Sequence, residues 1–313
     1  MKNELYGKDI LDLTELTTEQ IMEIIELAVE MKKKPSDYAD SLKGKILGMV
    51  FAKASTRTRL SFEAGMLQLG GHAIVLNSQD SQIGRGEPIK DTANVMSGYL
   101  DSIMIRTYED AEVAALAENS TIPVINGLTD LHHPCQCLAD LQTIYEWKKT
   151  FNDVNLVYIG DGNNVAHSLL IGGAKVGLNV AVASPKGFEP AAHIVSQAKE
   201  LAKETGAVIT ITDNPDSVTG SADFIYTDTW ASMGQEEDKA IRESVFLPDY
   251  QVNDSMMQAG ASDCKFMHCL PAYRGSEVTA SVIDGPQSII YQEAENRLHA
   301  QKALMFKLMK ADA

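Results

Sequence analysis

Short apolar runs alternate with amphipathic segments along nearly the whole chain, and this alternation restricts the fold more than any other feature. After a first amphipathic helix at about 18–33, residues 45–51 read as a buried strand. A helix follows at about 58–69, with Leu60, Ala64 and Leu67 in one stripe; Gly70-Gly71 stops it, and 72–76 form the next strand. Strand, helix, strand is the unit of a parallel sheet. The pattern continues with strands at 102–106 and 121–127 and a helix at 133–149. A second set starts at Val154: strands at 154–160, 178–183, 207–212, 223–228 and 265–270, helices at 165–176 and 190–204, and a last helix at about 293–309. Two alternating sets in 313 residues predict an α/β protein of two doubly wound parallel-sheet domains, joined near residue 150. Ligands in such folds lie beyond the carboxyl ends of the strands, and the polar motifs of this chain fall there.

Composition narrows the classes of function. Forty-three acidic residues against 27 basic ones give a net charge of −16, and no basic patch of the kind that binds nucleic acid is present. An anionic ligand would therefore need a local basic pocket within an acidic surface. No apolar run approaches the ~20 residues that span a bilayer. The polar start, Met1-Lys2-Asn3-Glu4, lacks a signal core, so a cytoplasmic protein is expected. Cys135, Cys137, Cys264 and Cys269 are then read as reduced thiols.

The sharpest motif is Ser55-Thr56-Arg57-Thr58-Arg59, between a strand and a helix. Unpaired N–H groups and the positive helix end favour an anion there, three hydroxyls add donors, and Arg57 offers a planar fork for phosphate oxygens. It is not a Walker loop, because Gly-x4-Gly-Lys-Ser/Thr is missing. His133 precedes Pro134 and reads equally as a residue at a helix start. The run His132-His133-x-Cys135-x-Cys137 is poorly spaced for a metal, since i and i+2 diverge on a helix. Gly160-Asp161-Gly162-Asn163-Asn164 lacks the third glycine of a dinucleotide site, and the next strand ends in Ser184-Pro185-Lys186 without a ribose-binding acid. Neither metal nor organic cofactor is expected.

Taken together, 51–63 (Phe-Ala-Lys-Ala-Ser-Thr-Arg-Thr-Arg-Leu-Ser-Phe-Glu), Arg106 at a strand end and His133-Pro134-Cys135-Gln136 resemble the aspartate and ornithine carbamoyltransferases. The resemblance runs the length of the chain. It includes Asp228-x-x-x-Ser232-Met233-Gly234, which resembles the signature of the ornithine-using members, and the family motifs His268-Cys269-Leu270-Pro271 and Glu295-Asn296-Arg297. It implies transfer of the carbamoyl group of carbamoyl phosphate to the side-chain amine of L-ornithine, in a cleft between the two domains.

By that resemblance Ser55, Thr56 and Arg57 hold the phosphate, while Thr58, Arg106 and His133 face the carbonyl oxygen. Gln136 holds the carbamoyl NH2, and Arg297 lines the same site. Asn164, Ser232 and Met233 bind the α-amino and carboxylate end of the amino acid. Asp228 and Cys269 orient and deprotonate the amine, with the Leu270 carbonyl as a further acceptor. Residues 1–150 are expected to bind carbamoyl phosphate and 151–287 ornithine, with a helix at about 288–313 packing back on the first domain. The resemblance also implies a homotrimer in which Gln82 reaches a neighbouring subunit's site. Taken singly, Cys269 reads as a small buried residue, Arg297 as a surface helix residue and Gln82 as a loop residue. Two other readings stand beside this one: a carbamoyltransferase with putrescine or aspartate as acceptor, and a catalytically silent binding paralogue.

Overall fold

A computed structural model describes residues 3–77, 86–231 and 238–312. The chain divides into two compact units, one of Met1–Gln142 with Glu295–Ala313 and one of Thr143–Ala294. Both divisions fall inside helices.

The first unit opens with α1 (Thr18–Lys33). A reciprocal capping box between Thr17 and Gln20 starts it, and it buries Ile21, Ile24, Ile25 and Ala28. There follow β1 (Ile46–Phe51), α2 (Thr56–Gln68), β2 (His72–Asn77), α3 (Ile89–Tyr99), β3 (Ser102–Arg106), α4 (Asp110–Asn119), β4 (Val124–Leu128) and α5 (Pro134–Lys148). Among the described residues the strands form one parallel sheet in the order β2-β1-β3-β4. Central β1 and β3 are apolar through most of their length, as strands covered on both faces must be. Val50, Ile103, Ile105 and Val124 pack with Ala93 and Met96 of α3 and Val113 and Leu116 of α4. The winding reverses between β1 and β3, where Phe51 lies opposite Arg106.

The second unit contains β5 (Asn155–Ile159), α6 (Asn164–Val176), β6 (Asn179–Ala183), α7 (Ala192–Thr205), β7 (Ile209–Thr212), α8 (Asp216–Thr219), β8 (Phe224–Tyr226), α9 (Lys239–Phe246), α10 (Asp254–Ala259), β9 (Lys265–Met267) and α11 (Ala280–Ile283). The last helix, α12 (Ile290–Met309), begins in this unit and ends in the first. The sheet order is β7-β6-β5-β8-β9, again parallel, with the reversal between β5 and β8. An aromatic cluster fills one side: Trp230 stacks on Phe246 at 5.1 Å, and Phe188 meets Phe246 edge-on at 5.0 Å.

The strands at 223–228 and 265–270 predicted from sequence end earlier, at Tyr226 and Met267. Their last residues leave the ladder and present Asp228 and Cys269 beyond the sheet. Helices α3, α4, α8, α9, α10 and α11 are additions to the sequence reading. No helix among the described residues is long and apolar enough to cross a membrane.

Gly162 shows why the turn after β5 needs glycine. Its N–H donates to the Phe188 carbonyl at 2.8 Å, and a Cβ there would stand 2.2 Å from the backbone nitrogen of Pro190. Rotamer changes cannot relieve a clash with backbone. Gly162→Ala is therefore expected to destabilise the protein by about 2 kcal/mol or more, read as a lowered urea midpoint. An unchanged midpoint would mean that the 188–190 segment yields freely.

Candidate active site

In the first unit the switch between β1 and β3 gathers side chains from four stretches of sequence. Ser55 caps α2, its hydroxyl accepting from the Thr58 N–H at 3.2 Å. This presents Thr56 and half-buried Arg57 on the first turn, where N–H groups point outward. Thr58 is buried and meets two arginines: Arg106 Nη1 approaches its Oγ1 at 3.5 Å and Arg297 Nη2 donates to it at 3.2 Å. Arg297 Nη1 also donates to Gln136 Oε1 at 2.6 Å. In the orientation that satisfies both ends of the Gln301 amide, its oxygen accepts from Arg297 Nη2 and Nε at 2.9 and 3.1 Å. Arg297, 4% exposed, is thus part of the interior and not a surface helix residue.

His133 is buried at the start of α5. Burial first, then the charges of Arg297, Arg106 and Arg57, hold its imidazole well below the usual histidine range, so it is neutral. A neutral imidazole can still donate one hydrogen bond to a polarised carbonyl oxygen. Lys53, almost wholly buried, ties the loops together: its Nζ pairs with Asp130 and lies 4.2 Å from the centre of the Tyr108 ring.

In the second unit Asp228 follows β8 and is held from three sides. Asn163 Nδ2 donates to its Oδ2 at 2.8 Å, the Thr229 N–H to Oδ1 at 2.7 Å, and the Cys269 thiol to Oδ1 at 3.2 Å. Asn163 also caps α6, accepting from Val165 and Ala166. Its neighbour Asn164 is the first residue of the helix. Asp161 pairs with Arg242 at 2.7 Å; burial raises its carboxyl above the ordinary range, and the guanidinium partly opposes this.

Cys269 is the half-exposed thiol of the four, whereas Cys135 and Cys264 are pushed up to about 12, chiefly by burial. The loop around it is fixed by buried groups. The Leu270 N–H donates to His268 Nδ1 at 2.9 Å, His268 Nε2 meets Glu277 at 3.1 Å, and Glu293 accepts from the His268 N–H at 2.8 Å. These bonds hold Leu270 at φ +61°, a left-handed conformation that costs a branched residue about 1–2 kcal/mol. Asp228, His268 and Cys269 bring one potential metal-ligand atom each within 4.8 Å of one another. Both ring nitrogens of His268 are engaged, however, so the trio is a hydrogen-bonded set and not an open metal site. Gln82, Ser232 and Met233 lie outside the described residues. Lys53, Asn163 and Glu277 were not singled out from sequence.

The two sheets with their polar carboxyl ends define a two-domain α/β transferase, and comparison with known proteins gives its family. Residues 8–146 match the family model described as aspartate/ornithine carbamoyltransferase, carbamoyl-P binding domain, and residues 152–308 the corresponding Asp/Orn binding domain. The chain belongs to the aspartate/ornithine carbamoyltransferase family. It is 58% identical over 310 residues to the ornithine carbamoyltransferase of Listeria monocytogenes, covering 99% of this chain and 98% of the relative. It is 55% identical over 307 residues to that of Bacillus cereus, covering 98% and 96%. The solved structure of the Pyrococcus furiosus ornithine carbamoyltransferase superposes with a TM-score of 0.94 at 50% identity, covering 97% of this chain and 98% of that one.

The depressed His133 sets an acid limit on stability. The folded imidazole stays neutral while the unfolded one takes up a proton near pH 6.5. Below that value the unfolded state binds more protons, so this stability is present above about pH 6.5 and lost as pH falls. His133→Gln is expected to flatten the decline of the urea midpoint between about pH 7 and pH 5. A decline parallel to that of the unaltered protein would contradict the neutral assignment.

Proposed function

We infer that this chain transfers the carbamoyl group of carbamoyl phosphate to the side-chain amine of L-ornithine, giving L-citrulline and phosphate. The observation that carries the reading is the convergence of Arg57, Arg106 and Arg297 with Thr58, His133 and Gln136 at one sheet end of an acidic protein. Its match to the carbamoyl-P binding domain and the Asp/Orn match of the second unit support the same chemistry. Relatives named for ornithine at 55–58% identity favour that acceptor over putrescine or aspartate. The full set of polar site residues speaks against a silent paralogue.

The chemistry divides between the units. Ser55, Thr56 and Arg57 hold the phosphate at the start of α2. Arg106, His133 and Thr58 donate to the carbonyl oxygen, where charge develops as the amine attacks; one such donor is typically worth ~3–4 kcal/mol of barrier. Arg297 lines the site and Gln136 accepts from the carbamoyl NH2. In the second unit Asn164, Ser232 and Met233 take the α-amino and carboxylate end. The side-chain amine, with a lysine-like pKa near ~10.4, arrives protonated; Asp228 and Cys269 orient it and draw off its proton, beside the Leu270 carbonyl. The C–N bond forms, the C–O bond to phosphate breaks, and the phosphate departs with the electron pair and takes up the second proton of the attacking nitrogen. The donors named here are protein side chains, and no metal or organic cofactor is proposed. A cytoplasmic location, where carbamoyl phosphate and reduced thiols coexist, fits this chemistry.

A citrulline assay with an acceptor panel tests the reading. Ornithine is expected to exceed putrescine and aspartate in kcat/KM by a factor on the order of 10³, because a site with polar groups for an α-amino acid is left unpaired by analogues lacking them. Comparable turnover of putrescine would sink the assignment.

The active form is proposed to be a homotrimer. Leu60 and Leu67 of α2, Ile74 of β2, and Val95 and Tyr99 of α3 are exposed, an apolar set on the elements flanking the segment that holds Gln82. Burial against a second copy accounts for it. If Gln82 serves a neighbour's site, mixing inactive Arg57→Gly with impaired Gln82→Ala subunits regenerates one intact site in every mixed trimer. About a quarter of native activity is expected after equal, random exchange. Confirmed exchange without recovered activity would confine each site to one chain.

A further inference from the structure

Asn163 stands between the start of α6 and the carboxylate of Asp228, and its amide is held in one orientation. Its Oδ1 accepts from the Val165 N–H at 3.0 Å, the Ala166 N–H at 3.2 Å and the Tyr158 hydroxyl at 3.3 Å. Its Nδ2 donates to Asp228 Oδ2 at 2.8 Å. Turned over, the NH2 would face two backbone N–H groups that can only donate, and the amide oxygen would face a carboxylate. Tyr158 is fully buried; burial, then the charge of Asp228, holds its phenol well above the usual tyrosine range, so it stays protonated and able to donate. On its other oxygen Asp228 accepts from the Thr229 N–H and the Cys269 thiol. The geometry of a helix start thus dictates that Asp228 meets a donor on this side.

We propose that Asn163 is a positioning residue for the acceptor amine: its amide, locked by the cap of α6, holds Asp228 Oδ2 in place and so sets the aim of the carboxylate on the incoming ammonium. The inference rests on the carbamoyl transfer reading above. Asn163 acts through Asp228 and touches no reacting atom. A neutral amide donor restrains the oxygen without cancelling the charge that draws an ammonium.

Substitutions that keep the cap but change what faces Asp228 separate positioning from folding. Serine and aspartate cap a helix about as well as asparagine, so Asn163→Ser and Asn163→Asp are expected to keep the urea midpoint of the unaltered full-length protein. Asn163→Ser has no donor long enough to reach Asp228 and is expected to lower kcat/KM for ornithine about tenfold. Asn163→Asp sets an acceptor against the carboxylate and is expected to lower it about a hundredfold at pH 9. As pH falls, the two carboxyls share a proton that replaces the amide donor. The ratio of this variant's kcat/KM to that of the unaltered protein is therefore expected to rise about tenfold between pH 9 and pH 6. The other groups that face the pair are Tyr158, Asp161 with its partner Arg242, His268 and Cys269. They and the titrating amine are common to variant and unaltered protein, so the ratio isolates the added carboxyl. A merely structural role leaves native kcat/KM in Asn163→Ser and a ratio flat with pH in Asn163→Asp, which overturns the proposal. Should one variant fail to fold, the other decides. Asp228→Asn and the unaltered protein separate the two levels of inference. If the unaltered protein makes no citrulline, the transfer reading falls and the proposal with it. If Asp228→Asn loses activity while both Asn163 variants keep it, the reading stands and the role of Asn163 alone falls.

Discussion

Guanidinium groups repel one another, and the first unit is organised around holding Arg57, Arg106 and Arg297 at one end of a sheet in spite of this. The strength of their field is visible at His133, whose proton they help to expel. Three of the contacts that orient Arg106 and Arg297 end on the neutral oxygens of Thr58 and Gln136. A neutral acceptor orients a guanidinium without cancelling its charge.

The second unit solves the opposite problem, keeping a buried carboxylate directed. Asn163 serves twice, ending the exposed turn of α6 and gripping Asp228, so helix start and acid are placed by one side chain. The buried His268–Glu277 pair does similar work for the Cys269 loop, compensating the left-handed Leu270 that brings thiol and carboxylate within 3.2 Å. In both units buried polar residues fix where the neighbouring polar side chains stand.

Much of this was legible in the sequence, because parallel strands buried on both faces leave uninterrupted apolar runs. The β1–α2–β2 unit and the anion motif at its switch are read directly from residues 45–76. Helix α4, Asp-Ala-Glu-Val-Ala-Ala-Leu-Ala-Glu-Asn, is alanine-rich with only Val113 and Leu116 buried, too thin a stripe for periodicity to separate from a loop. Asn163 carried a usable signal, since an asparagine just before an apolar helical run is a preferred cap. Lys53 and Asp130 carried none, because a contact across 77 positions follows from topology and not from local pattern. The resemblance to a family supplied Arg297, which no local feature of α12 distinguishes from a surface arginine.

That arginine carries a consequence for the order of events on the ribosome. Residues Glu295–Ala313 belong to the first unit, although the whole of Thr143–Ala294 is made in between. At ~5–20 residues per second the second unit takes on the order of ten seconds to emerge. During that interval the nascent first unit has its arginine loop but neither Arg297 nor the helix that buries it. The second unit can close as soon as its own chain is free, whereas the first waits for the last turns of α12. The arginine cluster of the first unit is thus assembled from the two ends of translation, and Arg297 meets Thr58 and Gln136 only when synthesis has nearly finished.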